Sequence, residues 1–286
     1  MQLRVVSWNV QGLRNPVKQQ AVITFARSIQ CDLLFLQETN FRDCTDVLAF
    51  ERRNSVKGFF SFGTRRSEGV GVVILSPRLI SGCSYLTDTV GRAIAFDASP
   101  SVGNIRFLNV YAPARQGQAN DFFRRLDMFL LGSSPVVLLG DFNCVLDTSK
   151  DASGPGAGRP SWYARELRRL VQQYCFCDAW TVLHPNDRSY TWSRGQVFSR
   201  LDRFYVPTLF TSTIADCEIL PPPSLGIYVS DHRPVLLCIR DDSGSVRSQP
   251  RWRIDLSLFR DSEVKATLLE RVSDSLPRSC SWVQEW

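Results

Sequence analysis

Apolar runs of strand length recur at regular intervals through the first 240 positions: LRVVSWN, DLLFLQE, GVGVVIL, RAIAFDA, IRFLNVY, PVVLLGDF, SRLDRFYV and RPVLLCIR. Their length and content predict strands. Helical spacing lies between some of them, over 16–29, 118–131 and 161–174. In the third stretch Leu167, Leu170, Val171 and Tyr174 share a face. The mixed order of elements predicts an α/β or α+β domain.

The pattern breaks at three places. Residues 151–160, DASGPGAGRP, predict a Gly/Pro-rich loop, and PPPSLG at 221–226 a second irregular segment. DDSGSVRSQP at 241–250 has the composition of a linker, which sets a domain over 1–240 and a tail over 241–286. The tail carries one amphipathic helical pattern through Leu256, Phe259, Val264, Leu268 and Val272, then ends in SCSWVQEW. That ending suggests a piece cut from a longer polypeptide.

Composition excludes more than it selects. With 44% hydrophobic and 22% charged residues in 286, the chain is expected to fold as a globular protein. MQLRVVSWNV lacks the charged lead and apolar run of a signal peptide, and no apolar run approaches the roughly twenty residues that span a bilayer. A soluble, intracellular protein with no membrane partner is expected. The nine cysteines are odd in number, and the only close pair, Cys175 and Cys177, has C-x-C spacing without a second pair. This speaks against both a disulfide framework and a zinc site. The net charge of +6 concentrates in residues 1–240 at about +7, because the tail holds seven Lys or Arg against eight Asp or Glu. That excess is compatible with a polyanionic partner.

Candidate chemistry sits at the strand ends. Asn9 closes RVVSWN, Glu38 follows LLFLQ, Asp141 and Asn143 follow VVLLG, and Asp231 and His232 precede RPVLLCI. Singly, Asn and Asp cap turns and a Glu after a strand is solvated. Together, polar groups repeatedly delivered by strand ends point to one cleft. His184, in the turn-like LHPND, has no such setting and is not counted.

The blocks SWNVQG, LLFLQET, NVYAP, GDFN, SRLDRFYV and SDHRPV, in this order, resemble the endonuclease/exonuclease/phosphatase family. The resemblance implies two packed mixed β-sheets flanked by helices, a DNase I-like four-layer sandwich, and a metal-dependent phosphodiesterase. It implies that Glu38 and Asn9 hold a divalent cation, Mg²⁺ with Mn²⁺ as a substitute, which suits hard oxygen ligands. By the same resemblance Asp141 orients or deprotonates the attacking water and Asn143 hydrogen-bonds a phosphate oxygen. His232 donates to the phosphate and Asp202 pairs with its other ring nitrogen. Tyr111 contacts the scissile phosphate, Asp231 lies near metal or leaving oxygen, and Ser230 supports the turn beside the substrate.

GLRNP, SYTWSR and GDFNCVLD look most like the endonuclease domain of LINE-type, non-LTR retrotransposons, where Thr191 matches a threonine near the DNA phosphate. This implies DNA as partner, strand nicking that leaves a 3′-hydroxyl and 5′-phosphate, and access to the nucleus. The tail similarly resembles a connector to a reverse transcriptase. An abasic-site repair endonuclease is the alternative enzyme, and a silent nucleic-acid-binding remnant the alternative of another class. Arg14, Lys18, Arg65, Arg66, Arg115, Arg194 and Arg203 are the basic candidates for DNA contact. Removal of residues 241–286 is expected to leave a cooperatively unfolding, active domain; a broad, non-cooperative urea transition in that truncation would place the tail within the core.

Overall fold

The computed structural model describes residues 2–240 apart from 66–67, 100–102, 132–133, 156–163 and 224–225. The linker and helical tail expected over 241–286 lie outside the described residues. From the N-terminal side run β1 (Gln2–Asn9), α1 (Pro16–Ser28), β2 (Leu33–Gln37), α2 (Cys44–Asn54), β3 (Lys57–Ser61) and β4 (Val70–Ile74). Next come β5 (Ser84–Thr87), β6 (Ala93–Ala98), β7 (Ile105–Tyr111), α3 (Gln116–Arg125), α4 (Asp127–Leu130) and β8 (Val136–Asp141). Then follow α5 (Thr148–Asp151), β9 (Ala152–Ser153), α6 (Ala164–Gln173), β10 (Phe176–Asp178) and α7 (Ala179–Leu183). The last strands are β11 (Trp192–Arg194), β12 (Val197–Ser199), β13 (Asp202–Pro207), β14 (Ile214–Ile219) and β15 (Val235–Arg240).

Two six-stranded sheets form, in the orders β14-β15-β1-β2-β4-β3 and β10-β13-β8-β7-β6-β5, beside a small sheet β11-β12-β9. In each large sheet one central pair is parallel, β1 with β2 and β7 with β8, and the other pairs are antiparallel. Both parallel pairs are joined by helices, as a parallel connection requires.

Strand alternation sorts the side chains into layers. Leu3 and Val5 of β1, Leu33 and Phe35 of β2, Phe107 of β7, Leu139 of β8 and Phe204 of β13 form the core between the sheets. The other face of the first sheet, with Val6, Trp8, Leu34 and Leu36, packs under Val22, Ile23 and Ala26 of α1 and Phe50 of α2. The other face of the second, with Leu108, Val110 and Leu138, packs under Phe123 of α3 and Leu167 and Leu170 of α6. Helix, sheet, sheet and helix thus make four layers. Because both faces of each sheet are covered, the strands read as nearly unbroken apolar runs.

Helix α1 matches its predicted span; Asn15 caps it by accepting from the Val17 and Lys18 amides, with Pro16 in the first turn. The helix expected over 118–131 starts earlier and divides at Leu126 into α3 and α4. The one expected over 161–174 is described as Ala164–Gln173. Helix α2 escapes the periodicity reading because it buries only Phe50 and Asn54. Strand β5, wholly exposed at a sheet edge, escapes it for a similar reason.

The inward rows of the strands run out of apolar residues at the same end. Leu3 and Val5 give way to Ser7 and Asn9, Phe35 to Gln37, Phe107 to Asn109 and Tyr111, and Leu139 to Asp141. Gln37 Nε2 donates to Ser7 Oγ at 3.1 Å and, across the sandwich, to Asn109 Oδ1 at 2.7 Å. Asn109 Nδ2 donates to the Leu36 and Gly71 carbonyls at 3.0 Å. Apart from Gln37 Oε1, which is buried without a hydrogen-bond partner, the seam is paired, and it fastens the two sheets where hydrophobic packing stops.

An ionic network sits on the opposite face of β13. Arg203, read from the sequence as a basic candidate for DNA contact, is buried there: it bonds Asp151 Oδ2 at 2.9 Å and the Cys144 carbonyl at 2.9 Å. Arg200 pairs with the other Asp151 oxygen at 2.7 Å and with Asp178. Burial disfavours the Asp151 charge, but Arg203 and Arg200 outweigh it and hold the carboxyl below its usual range. Replacing Asp151 by Asn is expected to cost about 3–5 kcal/mol at pH 7, since two buried guanidinium groups lose their counter-charge. A depressed native pKa contributes stability that is complete above the unfolded value of about 4 and lost as the pH falls below it. Urea denaturation should therefore show a wide gap between wild type and Asp151→Asn at pH 7 and a narrower one near pH 3.

Candidate active site

The end of the sandwich with the polar seam gathers Asn9, Glu38, Tyr111, Asp141, Asn143, Asp202, Asp231 and His232. Asn9 is fully buried, and its Nδ2 donates to Glu38 Oε1 at 3.0 Å and Asp141 Oδ2 at 2.9 Å. One amide therefore ties a carboxylate of the first sheet to one of the second. Asn9 Oδ1 accepts from the Gln11 amide at 3.1 Å and keeps a further lone pair.

Glu38 follows β2 with φ of 54°, a left-handed conformation uncommon for a residue of its type. The neighbouring backbone enforces it: the Gly12 amide donates to the Glu38 carbonyl at 2.6 Å, and the Thr39 amide donates to the Gly69 carbonyl at 2.9 Å. Strain held by surrounding bonds in this way is found at functional sites. Burial, together with the charge of Glu38 and a hydrogen bond to it, raises the Tyr111 phenol above its usual range. On the other side the Arg92 guanidinium lies 5.0 Å from the Tyr111 ring centre and pairs with Glu68 at 3.1 Å.

The GDFN turn is set by close packing. A Cβ on Gly140, whose φ is 127°, would come within 2.0 Å of the Val110 carbonyl oxygen. Asp141 Oδ1 accepts from the Asn143 amide at 2.9 Å, which leaves Oδ2 facing Asn9. Asn143, with φ of 49°, donates one amide hydrogen to the Ala112 carbonyl at 2.8 Å and has a second to offer.

His232 Nδ1 and Asp202 Oδ2 are 2.8 Å apart, and Nε2 lies 3.8 Å from Asp141 Oδ2 and 3.9 Å from Asp231 Oδ1. Burial opposes charge on the ring, but Asp202, Asp141 and Asp231 prevail and raise its pKa to about 10. The imidazole is thus held protonated with Nε2 free to donate. Burial and the nearby Asp202 push the Asp141 carboxyl upward, toward the range of a neutral-pH base.

Thr191 and Ser230, expected beside the substrate, make their bonds within the protein. Thr191 is fully buried, and its Oγ1 accepts from the Leu201 and Asp202 amides at 2.9 and 3.1 Å. It fixes the start of β13 and hence Asp202. Ser230 Oγ donates to the Asn9 carbonyl at 2.7 Å and accepts from the His232 amide at 3.0 Å, so it too is a positioning residue. The sequence reading missed Trp192, whose Nε1 donates to Asp231 Oδ2 at 3.0 Å, and also Arg92, Gln37 and Asn109. Trp192 stands inside SYTWSR, the one signal that could have found it. His184 stacks on Trp180 and bonds the Cys217 carbonyl, away from these groups.

Asp141, Asp202 and His232 cluster with side-chain atoms within 4.8 Å of one another, and Glu38 is joined to Asp141 through Asn9; with the His232 ring protonated, the carboxylates are the donors. Asp202 Oδ1 and Asp231 Oδ1 are buried without a hydrogen-bond partner, leaving hard oxygen lone pairs that suit a cation or its water. This donor set fits an oxygen-preferring divalent ion. Among the described residues eight cysteines are free thiols.

The model of the endonuclease/exonuclease/phosphatase family matches residues 6–232, a span that holds every one of these groups. The chain belongs to that family. Nucleases of the family are generally divalent-metal dependent, and the chain is accordingly an enzyme of the nuclease or phosphodiesterase type. It is 28% identical over 91% of its length to the Transposon TX1 uncharacterized 149 kDa protein of Xenopus laevis, of which it spans only 20%. With an exodeoxyribonuclease of Bacillus subtilis it shares 25% identity, covering 83% of this chain and 99% of that protein. Solved AP endonucleases share the fold. That of Leishmania major has a TM-score of 0.67 at 21% identity, covering 84% of this chain and 88% of that one. That of Archaeoglobus fulgidus has a TM-score of 0.67 at 23% identity, covering 82% and 98%. The DNase I-like sandwich expected from the sequence is the fold of this family member. No helix among the described residues is long and apolar enough to cross a membrane.

Thr191→Val is expected to destabilise the domain by about 1–3 kcal/mol, because the buried Asp202 amide and the part-buried Leu201 amide lose their acceptor. Asp202→Asn should keep the fold, yet lower kcat about 10²–10⁴-fold by removing the charge that holds His232 as an acid. Thermal melts paired with steady-state kinetics separate the two effects.

Proposed function

We propose that this domain is a Mg²⁺-dependent DNA endonuclease, with Mn²⁺ able to substitute, that hydrolyses one phosphodiester and leaves a 3′-hydroxyl and a 5′-phosphate. The observation that carries the reading is the division of labour around Asn9. Its amide holds Glu38 on one side and Asp141 on the other, and Asp141 in turn lies 3.8 Å from a charged, Asp202-bound His232.

Glu38, with the spare oxygen lone pair of Asn9, would hold the cation, which when bound polarises the phosphate and offsets the charge growing on its oxygens. Asp141 orients the attacking water and accepts its proton. His232 Nε2 donates to a non-bridging oxygen as negative charge accumulates, with Asp202 keeping the ring in the tautomer that can do so. The second amide hydrogen of Asn143 and the Tyr111 hydroxyl bind the remaining phosphate oxygens. Asp231, steadied by Trp192, stands near the leaving oxygen. The 3′ oxygen departs as the water oxygen bonds to phosphorus and takes a proton from solvent to become the 3′-hydroxyl, while the phosphate stays on the 5′ side.

The transposon relative, five times longer than the matched span, supports target-site cleavage in a mobile element as the biological role. In that setting residues 241–286 would lead toward a reverse transcriptase, and the enzyme would act on chromosomal DNA in the nucleus. Abasic-site incision is the second reading, favoured by the fold shared with AP endonucleases.

The purified protein is expected to nick supercoiled plasmid with Mg²⁺ or Mn²⁺, and EDTA should abolish the reaction. Asp141→Ala and His232→Ala should each lose at least about 10²-fold in rate. Cleavage that survives chelation, or full activity in either variant, would overturn the mechanism. A marked preference for a duplex with one abasic site over an intact duplex would favour the repair reading.

A further inference from the structure

One aromatic side chain at the rim of the cleft takes no part in the chemistry above. Tyr228 is 70% exposed, two residues before Ser230. Exposure of a large ring is commonly accompanied by mobility, but this ring is pinned. Its hydroxyl donates to Gln11 Oε1 at 3.1 Å. Gln11 is itself fixed in the left-handed region with φ of 45°, its amide donating to Asn9 Oδ1 and its carbonyl accepting from Lys18 Nζ at 3.1 Å. On the other flank Val229 is buried and Ser230 Oγ bonds the Asn9 carbonyl. The ring is therefore anchored, through side chain and through backbone, to the same Asn9 turn that holds Glu38 and Asp141.

Other exposed aromatics have ring partners. Tyr85 lies 4.6 Å from Phe59 and Phe198 lies 5.8 Å from Tyr190. Among the described residues no ring or cation packs on Tyr228. An aromatic face presented bare beside the proposed phosphate site, with its hydroxyl tied to Gln11, loses less entropy than a free one when a flat partner covers it. In a polynucleotide the flat group adjoining a phosphate is a nucleobase.

We propose that Tyr228 is a stacking platform for the base next to the scissile phosphate, an inference that rests on the DNA-endonuclease reading of the site. Every base has a π-face, so the platform supplies affinity and register with little readout of identity. It carries a further consequence. A base can lie on the ring only after losing a stacking neighbour, so cleavage should favour steps that unstack readily, such as pyrimidine–purine steps.

The test uses duplexes carrying a single 2-aminopurine placed in turn at each position around a mapped nick, bound in EDTA so that no strand is cut. Binding is followed by anisotropy and stacking by 2-aminopurine emission. One position is expected to change emission on binding wild type and Tyr228→Phe, which keeps the ring, but not on binding Tyr228→Ala, whose Kd should be about tenfold weaker. If Tyr228→Ala gives the wild-type emission pattern while wild type nicks the same duplex, the platform is overturned and the nuclease reading stands. If wild type neither binds nor nicks DNA, both fall together.

Discussion

The site depends on one buried amide. Asn9 Nδ2 makes the hydrogen bonds that join Glu38, at the end of a first-sheet strand, to Asp141, at the end of a second-sheet strand. Two carboxylates brought this close in a buried setting repel each other, and a donor between them offsets that repulsion without adding a positive charge. The amide can occupy that position because the seam of Gln37, Ser7 and Asn109 beneath it already locks the sheets in register. Removal of either layer of polar contacts would leave buried donors and acceptors unsatisfied, which is costly in a dry interior.

Electrostatics around this amide then assign chemical roles. Burial raises Asp141, and the acidic surroundings raise His232 against the desolvation that opposes its charge. In the proposed mechanism the first accepts a proton and the second donates one, and they face each other at 3.8 Å, too far for a direct hydrogen bond. The oxygens of Asp202 and Asp231 that lack a hydrogen-bond partner add negative potential that suits a cation.

Outside the site, charge has a different use. Asp151, Arg200, Arg203 and Asp178 form a network on the far face of β13, the strand that presents Asp202. Thr191 holds the same strand by its first amide. Placement of the His232 partner is thus set from two directions by residues that do not reach the cleft. The arginines of this network are structural, whereas Arg115 and Arg194 are exposed and available to a polyanion.

Much of this architecture was legible in one dimension. Apolar runs bounded by Asn9, Glu38, Asp141 and His232 disclosed strands and a polar cleft at their ends, because strand periodicity and desolvation act locally. The six motif blocks named the family for the same reason: they are short and contiguous. Tertiary structure alone decided what depends on distance between separate segments. It showed that Thr191 and Ser230 position other groups, that Arg203 is buried, and that Asn9 bridges two carboxylates. Hydrogen bonds and charge pairs join residues more than a hundred positions apart, as Asn9 and Asp141 are, and no spacing along the chain encodes which side chains will meet.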